Sequence, residues 1–437
     1  MLAGAQHFRR ISAWLPLLIG LATLALGAWL VFRPAPRNLL REGDALLAGG
    51  HYYGALLLYR AAARDSTSAP ELLRVGMVET VRGEDRAAGR SLAQALNGGL
   101  SPVEHDLARL YQGQAAAQAG QQQQAIGFWR TIERGRPLYA PQQVLEGEAL
   151  LRAADYAAAE SAYQAALDAG LPQEWRRVAL ARVAALRASS DREGALAALA
   201  AIAAPQGQQP EPLVTPLLPI PAPAPGAIQQ ALDSPADQRT LLLGQVYLDA
   251  GLIELAAAQF SAAGGRVAQA YAAYAQLRAG DRAGGQARLE QLVAEQPEDA
   301  RARALLALAY LGETDTRRAR AQLETIRALA PTSPDTHLAW GQWYAAQSDY
   351  VAAAGEYRRA LAEAPADQRG AYLLALARFH IDTSLTVCDQ GRPAAEDAAI
   401  MLDTAPAWNA AAEAGLSCGD ALAASAAANR ARTLDPT

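Results

Sequence analysis

Lysine is missing from this 437-residue chain, so all 39 basic residues are arginine. Cysteine occurs twice, methionine three times and phenylalanine five times, and aromatic residues make up only 6% of the total. Each shortage closes a class of function. Without lysine there is no glycine-rich phosphate loop ending in Gly-Lys. The two cysteines and five dispersed histidines supply no Cys-x-x-Cys, no His-Glu-x-x-His and no zinc-ligand spacing. No Gly-x-Ser-x-Gly elbow occurs either, and paired carboxylates such as Glu84 and Asp85 fall in turns. The expectation is a protein that is not an enzyme and holds no metal or cofactor. Runs of β-branched residues with period-two alternation are also nearly absent, which excludes a sheet and predicts an all-α fold. Acidic residues outnumber basic ones for a net charge of −5. The arginines are interspersed with acids and form no basic stripe, so nucleic acid is not an expected partner.

Apolar residues nevertheless reach 51% of the chain, and alanine dominates them. A core built this way is thin and needs backbones to approach closely. The longest apolar run is "ISAWLPLLIGLATLALGAWLVF", Ile11 to Phe32, flanked by Arg9, Arg10, Arg33 and Arg37, with Trp14 and Trp29 near its ends. It is long enough to cross a bilayer as a helix. The expectation is a tail over 1–10 and a single transmembrane helix over 11–32. The chain would then be a single-pass protein of the cell membrane, with the bilayer as one partner and the rest outside the cytoplasm. The alternative is a cleaved signal with a small-residue site near Gly27 and Ala28, and a secreted protein.

One pattern recurs along the rest of the chain. It reads "GHYYGALLLYRAA" from Gly50, "ADYAAAESAYQAA" from Ala154, "GLIELAAAQFSAA" from Gly251 and "SDYVAAAGEYRRA" from Ser348. Five residues after the turn residue stands alanine (Ala55, Ala159, Ala256, Ala353), and nine after it an aromatic (Tyr59, Tyr163, Phe260, Tyr357). Seven residues before the turn stands glycine (Gly43, Gly147, Gly244, Gly341). In the last copy Ala360 and Pro365 complete the unit. Turns of this kind at Gly50, Gly83, Gly120, Ala154, Ser190, Gly251, Gly280, Thr314, Ser348, Cys388 and Gly419 recur about every 34 residues, with one long gap after Ser190. Ser68 with Glu71 and Ser101 with Glu104 read as capping boxes, and Ser234-Pro235 and Ser333-Pro334 as helix starts.

The pattern resembles the tetratricopeptide repeat, a helix-turn-helix unit. That resemblance implies a right-handed α-solenoid with about five repeats over 36–204 and about six over 236–437, the last two divergent. It also implies a concave face, lined by the first helix of each unit, on which proteins or peptides dock. The groove positions map onto Gln114, Gln118, Glu148, Arg152, Gln245, Asp249, Tyr274, Arg278 and Gln342. The carboxylate clamp of heat-shock co-chaperones with this fold uses lysine and asparagine, and lysine is absent here. The expected role is a membrane-tethered scaffold in envelope assembly, secretion or export. The alternative is an accessory or regulatory subunit of a membrane-associated enzyme complex. The oligomeric state is not legible.

Two features stand outside the repeat. Residues 205–235 begin with eight prolines between Pro205 and Pro225 and read as a semi-rigid polyproline connector between the arrays. A ligand for another protein's groove, or a segment packed into a neighbouring solenoid groove, are the other readings. Cys388 and Cys418 are either a disulfide or two separate buried thiols.

Overall fold

Helices of 8 to 17 residues are marginal in water by themselves, and this chain is built almost entirely of such helices set in pairs. The computed structural model describes residues 39–63, 68–202, 212–218, 223, 225–366 and 368–434. The first five pairs are α1 (Leu39–Ala48) with α2 (Tyr52–Ala62), α3 (Ala69–Val81) with α4 (Asp85–Leu96), α5 (Pro102–Gln118) with α6 (Gln122–Trp129), α7 (Tyr139–Arg152) with α8 (Tyr156–Ala169), and α9 (Gln173–Arg187) with α10 (Arg192–Ile202). A 3₁₀ turn (Thr215–Leu217) and a lone helix α11 (Pro225–Asp233) follow. Six further pairs are α12 (Ala236–Asp249) with α13 (Ile253–Ala263), α14 (Gly265–Arg278) with α15 (Arg282–Glu295), α16 (Ala300–Gly312) with α17 (Thr316–Leu329), α18 (Pro334–Ala346) with α19 (Tyr350–Glu363), α20 (Arg369–Thr383) with α21 (Arg392–Leu402), and α22 (Ala405–Ser417) with α23 (Ala421–Leu434). No strand occurs among the described residues. Within the pairs the helices pack on each other, and the second helix of one pair meets the first of the next, which makes a solenoid.

The recurring residues are the contact points of that packing. A methyl placed on Gly147 would come within 2.7 Å of the Tyr163 ring, and one on Gly244 within 2.5 Å of Phe260. The same ring-over-glycine contact joins Gly43 to Tyr59 and Gly341 to Tyr357. Ala55, Ala159, Ala256, Ala353 and Ala360 are buried beside these rings. Glycine stands opposite the ring because any side chain would occupy the ring's place. Pro365 follows α19 and is exposed, beyond the last turn, where its missing amide proton costs nothing.

The turns share one device. Gly50, Gly83, Gly120, Gly251, Gly280 and Gly419 have positive φ, and so do Ala154, Thr314 and Ser348. At five of these turns the next residue is an aspartate that caps the helix. Asp155, Asp281, Asp315, Asp349 and Asp420 accept from the backbone N–H three residues on, at 3.2, 3.0, 3.0, 3.1 and 3.0 Å. The capping boxes at Ser68 and Ser101 form. Ser333 caps α18, whereas Pro235 rather than Ser234 is the cap of α12. The expected turn at Cys388 lies a few residues earlier, at Ser384 and Thr386, both with positive φ. Cys388 itself sits in a π-helical stretch, Val387–Gly391, and is bonded to Cys418 with Cα atoms 5.5 Å apart.

Two expectations need correction. No helix among the described residues is long and apolar enough to cross a membrane; even α5, with 17 residues, carries charged side chains and falls short of the roughly 20 apolar residues required. The expected span 11–32 lies outside the described residues, and placement as a single-pass membrane protein with the bilayer as partner is withdrawn. The second correction concerns the proline-rich segment. Its described part is a 3₁₀ turn, and α11 begins at Pro225, where proline in a first turn loses no hydrogen bond. Helix α11 contacts both α10 and α12. Across it, the Tyr247 hydroxyl donates to the Ala185 carbonyl at 2.8 Å and Tyr156 to that of Glu254 at 3.0 Å. One connected hydrophobic core runs from Leu47 to Ala275, so the stack continues through the break.

Candidate functional site

The face lined by the first helix of each pair is where the groove residues were expected, and in the first array it is filled. The filler is the segment 212–218. Its 3₁₀ turn places Val214 and Leu217 three residues apart on one side, as that helix requires, and both are buried, at 1% and 4% exposure. The Tyr111 hydroxyl on α5 donates to the Leu213 carbonyl at 2.7 Å. Burial pushes the Tyr111 phenol far above its ordinary value, so it stays a donor. Helix α1 touches the same turn, and Leu145, Glu148 and Arg152 of α7 line a cavity with Pro216, Leu217 and Leu218. Helices α1 and α7 belong to the first and fourth pairs, so the face that lets both reach one short turn must be strongly concave. Burying the two side chains stabilises by about 1.5–3 kcal/mol each, and the hydrogen bond adds about 1 kcal/mol.

The expected groove residues divide by what they already do. Gln114, Glu148 and Arg152 come together around that cavity of about 210 Å³. Glu148 is not free for a partner: it accepts from Tyr163 Oη at 2.8 Å and from Arg182 Nε at 2.7 Å. Desolvation opposes its ionisation, but the Arg182 charge and these hydrogen bonds outweigh it and hold the carboxyl below the usual range. Gln118 is exposed, with its amide nitrogen 3.0 Å from the Thr80 carbonyl and 3.3 Å from Asp85 in the orientation that satisfies both ends. Gln245 and Asp249 line a second cavity, also about 210 Å³, against α11. There desolvation raises the Asp249 carboxyl above its ordinary value. Tyr274 is half-buried in α14 and Arg278 exposed at its end. Gln342, half-buried in α18, borders neither cavity.

Three residues escaped the sequence reading: Tyr111, Val214 and Leu217. Among the described residues between 205 and 225, only Val214, Leu217 and Pro223 are buried. The Φ-x-x-Φ spacing of Val214 and Leu217 inside a proline-rich run was the available signal. Arg182 was missed as well, because an arginine in a helix gives no sign of being 2% exposed.

Elsewhere, Arg320, Glu324, Arg327, Trp340, Trp343 and Tyr344 surround a cleft of about 280 Å³. Its cations are engaged. Arg320 pairs with Glu324 at 2.8 Å, and Arg327 lies over Trp340 at 3.9 Å while bonding Glu356 at 3.0 Å. Among the described residues no group of three or more histidine, cysteine or acidic side chains could hold a metal ion.

No family model matches the chain, and no curated protein does. Among solved structures, the chain is similar to the APC/C hetero-tetramer Cut9-Hcn1, at 13% identity and TM-score 0.36, over 93% of this chain and 95% of that one. Yeast Tom70 gives 12% identity and TM-score 0.36, over 91% and 92%. TTC0263, a thermophilic TPR protein of Thermus thermophilus, gives 22% identity and TM-score 0.35, over 41% of this chain and all of that one. These are likenesses between helical-repeat chains, and no function is carried across them.

Proposed function

We propose that the chain is a non-enzymatic scaffold whose stacked helix pairs dock segments of partner proteins on the face lined by their first helices. The observation that supports this reading is the seat of Leu213–Leu218: the face of the first array already holds a short piece of polypeptide by two apolar side chains and one backbone carbonyl. A surface of this kind recognises backbone and small apolar groups, which is what a docking site needs and a reaction centre does not. Two arrays on one continuous stack would present their docking faces at a fixed separation, so partners bound to both gain from effective concentration.

Photo-crosslinkable residues at Gln245, Tyr274 and Gln342, compared with one at Val351, which is 84% exposed, test the reading in the native cell. Crosslinks to the same partner from the first three positions and not from the fourth are expected. Equal labelling from all four would contradict a docking face.

A further inference from the structure

We infer that the concave face of the first array is a binding site for an uncharged apolar turn of the form Φ-x-x-Φ, and that Leu213–Leu218 occupies it as an internal mimic which such a partner displaces. This rests on the scaffold reading and names one of its sites.

The seat has the features of recognition. Val214 and Leu217 fill it from one side of a single 3₁₀ turn, whose own hydrogen bonds run from Leu217 N–H to the Val214 carbonyl at 2.9 Å and from Leu218 N–H to the Thr215 carbonyl at 3.1 Å. The carbonyl just before the turn, Leu213, is read by Tyr111. Nothing in the segment from Pro212 to Leu218 is charged. Of the charged residues lining the cavity beside it, Glu148 is paired with Arg182, and Arg152 stands at the side of Pro216, Leu217 and Leu218. A partner must therefore bring two apolar residues three apart, a free carbonyl before the first, and no charge between them.

The segment also has the features of a tenant. Its anchors are the Tyr111 hydrogen bond and the buried Val214 and Leu217, with Leu213 and Leu218 partly buried against the same core, and the rest of the cavity beside it, lined by Gln114 and Arg152, is unfilled by protein. The sequence around it, "PQGQQPEP" before and "PIPAPAP" after, is proline-rich. Tethered ligands of this sort compete at millimolar effective concentration. An external turn therefore sees a weakened site until the mimic is disabled.

The test uses the full chain with Val214→Asp and Leu217→Asp, and a fluorescent peptide of the sequence EPLVTPLLP. Anisotropy titration should show saturable binding to the double variant, at least tenfold tighter than to the unaltered chain. A peptide with aspartate at the two apolar positions should not bind. A variant that keeps its helical circular dichroism and cooperative melt yet fails to bind would overturn the inference, and so would equal binding by both chains. Should the variant not fold, hydrogen exchange in the unaltered chain decides. Amides of Leu217 and Leu218 exchanging at least 100-fold faster than those in the middle of α5 and α7 support a turn that leaves by itself, and equal protection overturns it. Failure of the peptide leaves the crosslinking pattern at Gln245 and Gln342 unaffected, so the loss of this site and the loss of the scaffold reading are told apart.

Discussion

The first five helix pairs close around a piece of their own chain, while the last six have no such filler among the described residues, and the two halves are held together differently as a result. A single core extends through the first five pairs and on into α14, from Leu47 to Ala275. Beyond it the core divides into three clusters, around Leu289 and Leu306, around Leu323 and Trp340, and around Ala377 and Ala410. The buried acids repeat the contrast. Glu148 is paired with an arginine that is itself buried, whereas Glu356 is held by Arg327, His337 and Arg359, of which Arg359 is largely open to water and Arg327 partly so. A solenoid's cohesion is a sum over neighbours. An object in the concave face adds contacts between pairs that are not neighbours, and the pairs it touches are expected to melt together.

The largest expected effect breaks this unit. Arg182→Met strands the Glu148 carboxylate and should cost about 3–5 kcal/mol, read as a lower urea midpoint for the whole first half. Arg327→Met leaves Glu356 with His337 and Arg359 but gives up the stacking over Trp340, and should cost less, about 1–2 kcal/mol. Equal losses would contradict the contrast. The same pair carries a pH signature. Glu148 has its folded pKa depressed, so its contribution is present above the unfolded value of about 4.3 and is lost as pH falls through the folded one. Glu148→Gln should therefore flatten the loss of melting temperature on acidification below about pH 4.3.

Next in size, Cys388→Ser with Cys418→Ser removes a crosslink over 30 residues and should cost about 2–4 kcal/mol. Hydrogen exchange should show the loss confined to α19 to α23, because their cluster is separate; faster exchange in α5 to α9 would deny that separation. Gly147→Ala should cost about 1–3 kcal/mol by overpacking. Gly341→Ala should cost less, since Tyr357 is 8% exposed and has room to give, while Tyr163 is fully buried. The denaturation midpoints of the two variants rank them. Smallest of all, Ser348→Gly relieves a positive φ of 60° and should raise stability by about 1 kcal/mol; an unchanged midpoint would deny that the turn is strained there.

Much of the fold was legible because its contacts are local. Gly147 and Tyr163 belong to one helix pair, and their type follows from volume alone. Turn residues and aspartate caps are legible for the same reason, since φ and the N-cap bond involve only adjacent residues. The shift of one turn from Cys388 to Ser384 and Thr386 came from a π-helical insertion, which adds a residue to a turn and leaves no mark in the apolar pattern. The site was less legible because its decisive contacts are remote. Tyr111 and Leu213 lie 102 residues apart, and nothing near either residue announces the other. Glu148 was chosen for its place on the first helix, but whether an acid on that face is free depends on Arg182, a residue of the next pair. Composition identified the proline-rich segment as different, and composition alone cannot say which of its residues turn inward.

Helix α11 has one more consequence. A solenoid assembled from identical pairs advances by a constant screw operation, and an odd helix inserted between the fifth and sixth pairs acts as a dislocation in that one-dimensional lattice. Every pair after it is set by the phase that α11 imposes, and that phase brings Tyr156 onto Glu254 and Tyr247 onto Ala185. Units could be duplicated or lost toward the C-terminal end without disturbing this phase. Between α9 and α12 the chain has no freedom to grow or shrink by a unit, because one extra step of the screw would carry both tyrosines past their carbonyls.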